Sequence, residues 1–216
     1  MAEASAEVFP AAEQVAPRKR LDNTELVVPI CYGTVAFWLG KKADEYHSHR
    51  WTVYVRSPSG EELNHIISKV VFKLHDSFMN PIRVVEAAPY ELTETGWGEF
   101  EISITMHFTE DSGEKPIEIF HPLKLYEDAG SSIDRQSTKK PVVTEDYDEL
   151  VFSEPVQDFY ERVVNVKPAP APSSELTQHL PVHNDAEELA KIKAARRSLA
   201  EQIAESRLQL ELGEAT

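Results

Sequence analysis

The chain has 216 residues, of which 41% are hydrophobic, and a formal net charge of −15 at pH 7. This length can bury the core of one domain of roughly 100 to 150 residues and leaves a remainder for tails or partner surfaces. The negative charge disfavours direct binding to nucleic acid and favours basic partners. Cys31 is the single cysteine, which excludes an internal disulfide and fits a reducing compartment.

The N-terminal segment, residues 1–20, is expected to be a disordered tail without the apolar core of a signal peptide. The longest apolar run, residues 26–40, is interrupted by polar and turn-forming residues, so no membrane span is expected. These features predict a soluble protein that stays inside the cell. The basic triplet at 18–20 could serve nuclear import, but a solvated tail is the simpler interpretation.

Residues 21–153 are expected to form one β-sandwich domain. From Leu26 to Phe152 apolar and polar residues alternate with a period of two, which is typical of strands. The clearest case is residues 100–108, where one face is expected to pack and the other to contact water. Further strands are expected near residues 51–55, 70–75, 81–86, 90–94, 117–126 and 147–152. About eight short strands separated by turns predict an antiparallel β-sandwich.

Beyond the sandwich the pattern changes twice. A helix-start signal at Ser153 predicts a short helix over residues 154–165 that covers one end of the sandwich. Alternating prolines predict a semi-extended linker over residues 166–183. A segment without proline or glycine then predicts a long helix over residues 184–213, capped by Asn184 and Glu187 and stopped at Gly213.

Apolar residues recur along the long helix at alternating spacings of three and four, which is typical of a coiled-coil seam. The seam consists of Leu189, Ile192, Leu199, Ile203 and Leu210, with polar interruptions at Arg196 and Ser206. A solitary amphipathic helix is the alternative. Because a helix cannot bury such a narrow seam by itself, pairing is favoured, with an identical or a different chain.

Signs of catalysis are weak. The stretch 33–42 has six residues between its glycines, whereas a phosphate-binding loop has four, and it ends in lysine where serine or threonine is required. His47 and His49 could chelate a metal, but no partner cluster has a matching spacing. The adjacent Asp, Ser and His of 75–77 do not indicate a triad, whose members meet in space. No catalytic residue, metal or cofactor is expected.

Two loops carry exposed-aromatic signals. Trp97 lies between Gly96 and Gly98, which permit turn conformations and close approach, so the loop can present the indole as a flat wall. The alternative is a tryptophan folded back over the core. A second loop, residues 75–81, adds Phe78 beside an imidazole and a hydroxyl. We expect the two loops to form one binding site.

Several segments resemble a YEATS domain, of the subgroup that includes the yeast Yaf-nine protein and its human glioma-amplified and plant counterparts. They are "VPICYGTVAFWLGKK", "HSHRWTVYVR", "FKLHDSFMNPIRVVEAAPYELTETGWGEFEI", "HPLKLY" and "YDELVF". The resemblance covers residues 21–152 and implies an all-β immunoglobulin-like sandwich with a C-terminal α-helical coiled coil. It also implies a non-enzymatic nuclear reader of acetyl- or crotonyl-lysine on histone tails, within Swr-type chromatin-remodelling and nucleosome acetyltransferase complexes.

The resemblance assigns roles to individual residues. Phe78 and Trp97 would be the two faces of a slot closed at its base by Phe100; Ser77 and the Trp97 backbone N–H would bind the acyl amide, and His75 would support the loop. The acyl-lysine-binding residues would be His75, Ser77, Phe78, Gly96, Trp97, Gly98 and Phe100. The histone-peptide contacts would be His47, His49, Glu99 and Glu101, although the two glutamates are equally well explained as solvated strand residues.

A neutral, planar acyl amide suits a slot between aromatic rings that keeps its hydrogen bonds. An unmodified ammonium would lose its water in a slot that is expected to offer no carboxylate. A cage for methylated lysine, based on cation–π attraction, is a competing interpretation. So is a purely architectural subunit that acts through its coiled coil.

Overall fold

The computed structural model describes residues 18–41, 43–127, 138–181 and 185–214. They belong to two compact units divided after Glu175, and each unit is described by itself. The strands are β1 (Glu25–Trp38), β2 (His49–Arg56), β3 (Ile67–Lys73), β4 (Ile82–Val85), β5 (Tyr90–Gly96), β6 (Glu101–Phe108), β7 (Ile117–Pro122) and β8 (Val142–Ser153), and the helices are α1 (Gln157–Asn165) and α2 (Asp185–Glu214).

The eight strands form two four-stranded sheets, in the orders β5-β2-β1-β8 and β4-β3-β6-β7. All paired strands within the sheets are antiparallel. The alternation along β6 turns Ile102, Ile104 and Met106 inward, and each is 0% exposed. The predicted antiparallel β-sandwich is therefore confirmed, and β4 and β5 are edge strands of different sheets.

Strand β2 is buried on both faces, which its alternating pattern does not predict. The side chain of Tyr54 donates a hydrogen bond to Glu145 (2.8 Å), and Arg56 donates to both oxygens of the same carboxylate (2.7 and 2.8 Å). A Cβ on Gly33 would lie 2.2 Å from the Thr144 carbonyl oxygen and 2.8 Å from the Tyr54 hydroxyl. Only glycine at position 33 therefore leaves space for the hydrogen-bonded cluster of Tyr54, Arg56 and Glu145 on the outer face of the first sheet.

The lone cysteine is buried on the outer face of the first sheet, opposite Arg56 of β2. Cys31 is 0% exposed, and burial raises the pKa of its thiol to about 11. A thiol that stays protonated at neutral pH is a poor nucleophile and a poor metal ligand. Cys31 is therefore a buried structural residue.

Helix α1 covers one end of the sandwich, as predicted, but it begins at Gln157 and not at Glu154. Glu154 has φ +50°, a left-handed backbone conformation that interrupts a right-handed helix. The helix buries Phe159 completely, with its ring 5.2 Å from the ring of Phe152. This contact joins α1 to the last strand of the sandwich.

The folded domain extends beyond its predicted N-terminal boundary. Residues 1–17 of the predicted tail lie outside the described residues, but the basic triplet at 18–20 is part of the domain. Lys19 accepts the Gln157 backbone N–H through its carbonyl oxygen (2.8 Å), and Arg20 forms an ion pair with Glu114 (2.8 Å). These contacts fix the chain against the α1 end, so a free solvated tail is the wrong interpretation for these three residues.

Part of the predicted proline linker also packs on the domain. The backbone N–H of Glu62 donates to the Ala169 carbonyl oxygen (2.8 Å), and that of Ala171 donates to the Gly60 carbonyl oxygen (2.9 Å). Residues 169–171 thus pair with the turn after β2. A semi-extended linker conformation is compatible with this pairing, because extended backbone presents its N–H and C=O groups sideways.

Helix α2 forms a unit of its own with the rest of the segment after Glu175. It continues through the predicted stop at Gly213 to Glu214. The side chains of the apolar seam residues Leu189, Ile192, Leu199 and Ile203 are between 45% and 57% exposed, whereas Asn184 and the side chain of Leu210 lie outside the described residues. The coiled coil stays a prediction. Within the described residues, no helix combines the length and apolar character of a membrane span.

Candidate functional site

The β3–β4 loop and the β5–β6 loop meet at one end of the sandwich. Together with a short 3₁₀ turn, Glu45–His47, they surround a cleft of about 710 Å³. We call it the aromatic cleft. Its lining residues are Tyr46, His47, His75, Ser77, Phe78, Met79, Glu94, Thr95, Gly96, Trp97, Gly98, Glu99 and Phe100. All seven residues predicted to bind acyl-lysine are in this set.

Trp97 presents its indole to solvent. It lies in the bend directly after β5, and 62% of the residue is exposed. The alternative, in which the ring folds back over the core, is therefore wrong. A large apolar side chain held in water at the rim of a cleft is typical of a contact surface for a ligand.

Phe78 and Phe100 form an aromatic cluster on a buried support. Their ring centroids are 5.5 Å apart, and the ring of Trp51 meets both edge-on, at 5.9 Å from Phe78 and 5.7 Å from Phe100. Edge-to-face contacts at these distances are favourable. Trp51 is 0% exposed and was not predicted as part of the site. Its signal in the sequence, a tryptophan in an apolar strand, is shared by any core residue.

Gly96 lies against two of these rings. A Cβ at this position would lie 3.5 Å from Trp51 Nε1 and 3.7 Å from Phe78 Cζ, whereas a Cβ on Gly98 would have no neighbour within 4 Å. Neither glycine has a positive φ. The two glycines of the predicted motif therefore have different roles, and only Gly96 lies against the ring cluster.

Ser77 and His75 form a small polar unit in the β3–β4 loop. The backbone N–H of Ser77 donates to His75 Nδ1 (3.2 Å), and the Ser77 Oγ lies 2.9 Å from the same nitrogen. Because Nδ1 accepts from the backbone, the neutral ring carries its proton on Nε2, and the hydroxyl also donates to Nδ1. The Ser77 oxygen keeps its lone pairs for an N–H donor from a ligand.

The two histidines before Trp51 have different environments. His47 is exposed and lines the aromatic cleft, with Nδ1 3.4 Å from a carboxylate oxygen of Asp44. His49 is 1% exposed, its Nδ1 lies 2.9 Å from the Ser48 hydroxyl, and burial lowers its pKa. His49 points inward because it shares the inner face of β2 with Trp51. The expectation that its side chain contacts a histone peptide is therefore wrong.

The two glutamates predicted to contact the peptide, Glu99 and Glu101, lie in different places. Glu99 lines the aromatic cleft and accepts the backbone N–H of Leu125 (2.8 Å), and its second oxygen lies 3.8 Å from Lys124 Nζ. Glu101 is exposed but does not belong to the lining, because it begins β6 opposite Pro122 on the outer face of the second sheet. The structure brings Glu99 to the site and leaves Glu101 outside it.

Four lining residues were not predicted: Tyr46, Met79, Glu94 and Thr95. Tyr46 is 62% exposed and Met79 is 84% exposed. Both are large apolar residues in turn-forming stretches, a signal that marks them as candidates but does not decide whether they face solvent. Glu94 contradicts the expectation of a site without carboxylates, but it forms an ion pair with Arg83 (2.8 Å).

A second polar cluster joins the two sheets away from the cleft. His121 Nδ1 lies 3.0 Å from a carboxylate oxygen of Asp146, and its Nε2 lies 3.3 Å from the Thr34 hydroxyl. The three residue types could form a hydrolytic triad, but Thr34 and His121 are both 0% exposed. A nucleophile must reach its substrate, so this cluster is structural.

Comparisons with known proteins identify a matching family and a similar relative. Residues 46–127 match the YEATS family. The chain is 43% identical over 223 aligned positions to transcription initiation factor TFIID subunit 14b of Arabidopsis thaliana, covering 90% of this chain and 82% of the relative.

Two solved structures share the fold. The Yaf9 YEATS domain bound to H3K27ac is 39% identical, with a TM-score of 0.59 over 68% of this chain and 99% of the other. The Yaf9 YEATS domain recognizing an H3K122suc peptide is 38% identical, with a TM-score of 0.56 over 70% of this chain and 100% of the other. At this identity the similarity extends to sequence as well as fold.

Proposed function

Because this chain belongs to the YEATS family, we propose that its sandwich is a reader of acylated lysine on histone tails, with acetyl- and crotonyl-lysine as ligands. The observation that carries the proposal is the aromatic cleft, where Phe78 and the exposed Trp97 line one space at the end of the sandwich. The similar Yaf9 domains, which bind acetylated and succinylated histone H3 peptides, support it.

The chemistry of the aromatic cleft suits an acyl amide. A planar amide stacks between aromatic faces, and its N–H can donate to the Ser77 oxygen, whose own proton is directed to His75. The Trp97 backbone N–H is the proposed donor to the acyl carbonyl oxygen. Leaving one of these amide partners unmet would cost about 1 to 3 kcal/mol.

Unmodified lysine is the ligand that this chemistry rejects. Two carboxylates line the aromatic cleft, but Glu94 is paired with Arg83, and Glu99 accepts a backbone N–H and faces Lys124. An ammonium entering between the rings would lose water and compete with these existing partners. An acylated side chain carries no charge and avoids that loss.

The test is a titration of the full chain with histone H3 tail peptides that are acetylated, crotonylated, trimethylated or unmodified. We expect binding of the acylated peptides, weak binding of the others, and loss of acyl-peptide binding in Trp97→Ala. Because Trp97 is 62% exposed, this variant should keep the melting temperature of the wild type. Equal wild-type affinity for acylated and unmodified peptides would refute the reader function, and tighter binding of trimethyl-lysine would favour the methyl-lysine cage.

We also propose that α2 docks the reader into a nuclear chromatin complex, of the Swr-type remodelling or nucleosome acetyltransferase class. The half-exposed apolar seam, which α2 cannot bury by itself, supports a partner helix. The similarity to a TFIID subunit supports membership of a transcription complex. Deleting residues 185–216 should leave peptide affinity unchanged and abolish incorporation into the complex. Loss of peptide affinity in this deletion would favour the architectural alternative.

A further inference from the structure

Arg83 occupies an unusual position on the edge strand β4. It pairs with Phe72 of β3, which is 0% exposed, so the Arg83 side chain also points between the two sheets. There it donates from Nε to the Asn80 carbonyl oxygen and from Nη2 to the Met79 carbonyl oxygen (2.8 Å). Both acceptors directly follow Phe78. Arg83 therefore holds the part of the β3–β4 loop that carries one wall of the aromatic cleft.

The same guanidinium also contacts β5, the strand that leads into the Trp97 loop. Arg83 Nη1 lies 2.8 Å from Glu94 Oε1, and the two side chains are 29% and 24% exposed. Glu94 lies on β5, opposite Trp51 of β2, and its side chain points inward. Trp97 follows three residues later, directly after the end of β5. Since β4 and β5 are edges of different sheets, no backbone ladder joins them. Through its Arg83–Glu94 ion pair, Arg83 thus links the β3–β4 loop to the end of β5 from which the Trp97 loop begins.

We propose, on the basis of the function proposed above, that Arg83 is a positioning residue that fixes the spacing between the Phe78 and Trp97 loops and thereby gives the aromatic cleft its preference for flat acyl groups. A crotonyl group is planar and contacts a ring on each face. A butyryl group has the same carbon count, but its tetrahedral carbons need more width. A rigid spacing discriminates between these two ligands, and a loosened one accommodates both.

Lysine cannot replace this arginine. The guanidinium presents several donors in one plane and here serves three acceptors, two carbonyl oxygens in the β3–β4 loop and one carboxylate on β5. A lysine ammonium is a compact charge on a flexible stem and would keep at most the ion pair with Glu94. Arg83→Lys therefore keeps the positive charge but loses the hydrogen bonds to the Met79 and Asn80 carbonyl oxygens. It tests the positioning role of Arg83 separately from its charge.

The experiment measures affinities of the full chain for crotonylated and butyrylated forms of one histone H3 peptide. For the wild type we expect tighter binding of the crotonyl peptide. In Arg83→Lys we expect crotonyl affinity to fall roughly tenfold and butyryl affinity to fall less, so that the ratio between them shrinks. Lys73→Arg, an exposed exchange between the same two residue types on the neighbouring strand, is the matched control and should keep the wild-type ratio.

The outcomes separate the two proposals. A wild type that binds neither acylated peptide overturns the reader function and this inference with it. A wild type that prefers the crotonyl peptide, combined with an Arg83→Lys variant of unchanged ratio, overturns only the role of Arg83, even if both affinities fall. Should Arg83→Lys fail to fold, Glu94→Gln removes the ion pair while keeping the side-chain shape, and its ratio must shrink for the proposal to stand.

Discussion

Replacing Gly96 with alanine tests whether the acyl group occupies the space beside Phe78 in the aromatic cleft. The added Cβ would lie 3.5 Å from Trp51 Nε1 and 3.7 Å from Phe78 Cζ, which are ordinary contact distances. Trp51 Nε1 has no hydrogen-bond partner within the described residues, so the methyl group breaks no such bond. Because φ at Gly96 is not positive, alanine fits the backbone. The folded state should therefore tolerate Gly96→Ala.

We expect Gly96→Ala to weaken the binding of acylated peptides. The methyl group fills space beside Phe78 and keeps the acyl group from its full depth. Exclusion of one apolar carbon costs about 0.8 kcal/mol of burial, and a displaced amide loses about 1 kcal/mol from one hydrogen bond. The sum, about 1.8 kcal/mol, corresponds to roughly twentyfold weaker binding. Stability should stay level or rise by about 0.4 to 1 kcal/mol, since alanine restricts the unfolded chain more than glycine does.

The assay is calorimetric titration with an acetylated histone H3 peptide, together with thermal unfolding. Gly98→Ala is the matched control, because its Cβ would have no neighbour within 4 Å. We expect its affinity to stay within about twofold of the wild type, as for a surface substitution that removes no contact. Wild-type affinity in Gly96→Ala would refute the argument, and an equal loss in both variants would show that the loop as a whole, rather than the space beside Phe78, controls binding.

Three further predictions concern the site and the fold. Ser77→Ala should weaken acetyl-peptide binding roughly tenfold with little change in melting temperature, measured by the same titration, because it removes one amide acceptor; wild-type affinity would contradict the role given to the hydroxyl. Arg162→Met should lower the free energy of unfolding by about 2 kcal/mol in urea titrations. Arg162 donates to both oxygens of Asp111 (2.7 and 2.8 Å) and lies over the ring of Phe159. An unchanged midpoint would show that these contacts make no net contribution to stability. Stability should also fall as pH drops below about 6.5, because burial lowers the pKa of four histidines, so that the unfolded chain binds more protons than the folded one in this range. Urea unfolding between pH 7.5 and 5.5 measures the effect, and a flat profile would contradict it. The four are His49, His65, His107 and His121.

Some features of the site were accessible from local pattern alone. The two aromatic loops were identified because glycine, proline and polar residues interrupt strand alternation at Phe78 and Trp97, which marks the ends of strands. The exposed positions of Tyr46 and Met79 are less accessible, since an apolar residue in a turn can pack inward or outward. The choice between them depends on contacts with residues that are distant in the sequence.

The alternation of apolar and polar residues was enough to predict which segments become strands and which side chains on β6 point inward, because a period of two is a property of extended backbone and needs no partner. Contacts between distant segments, in contrast, bring Glu94 to Arg83 beside the aromatic cleft and place Trp51 against Phe78 and Phe100. These relations depend on which strands pair and in what register. That choice is made by the packing of the two sheets as a whole, which no single segment encodes.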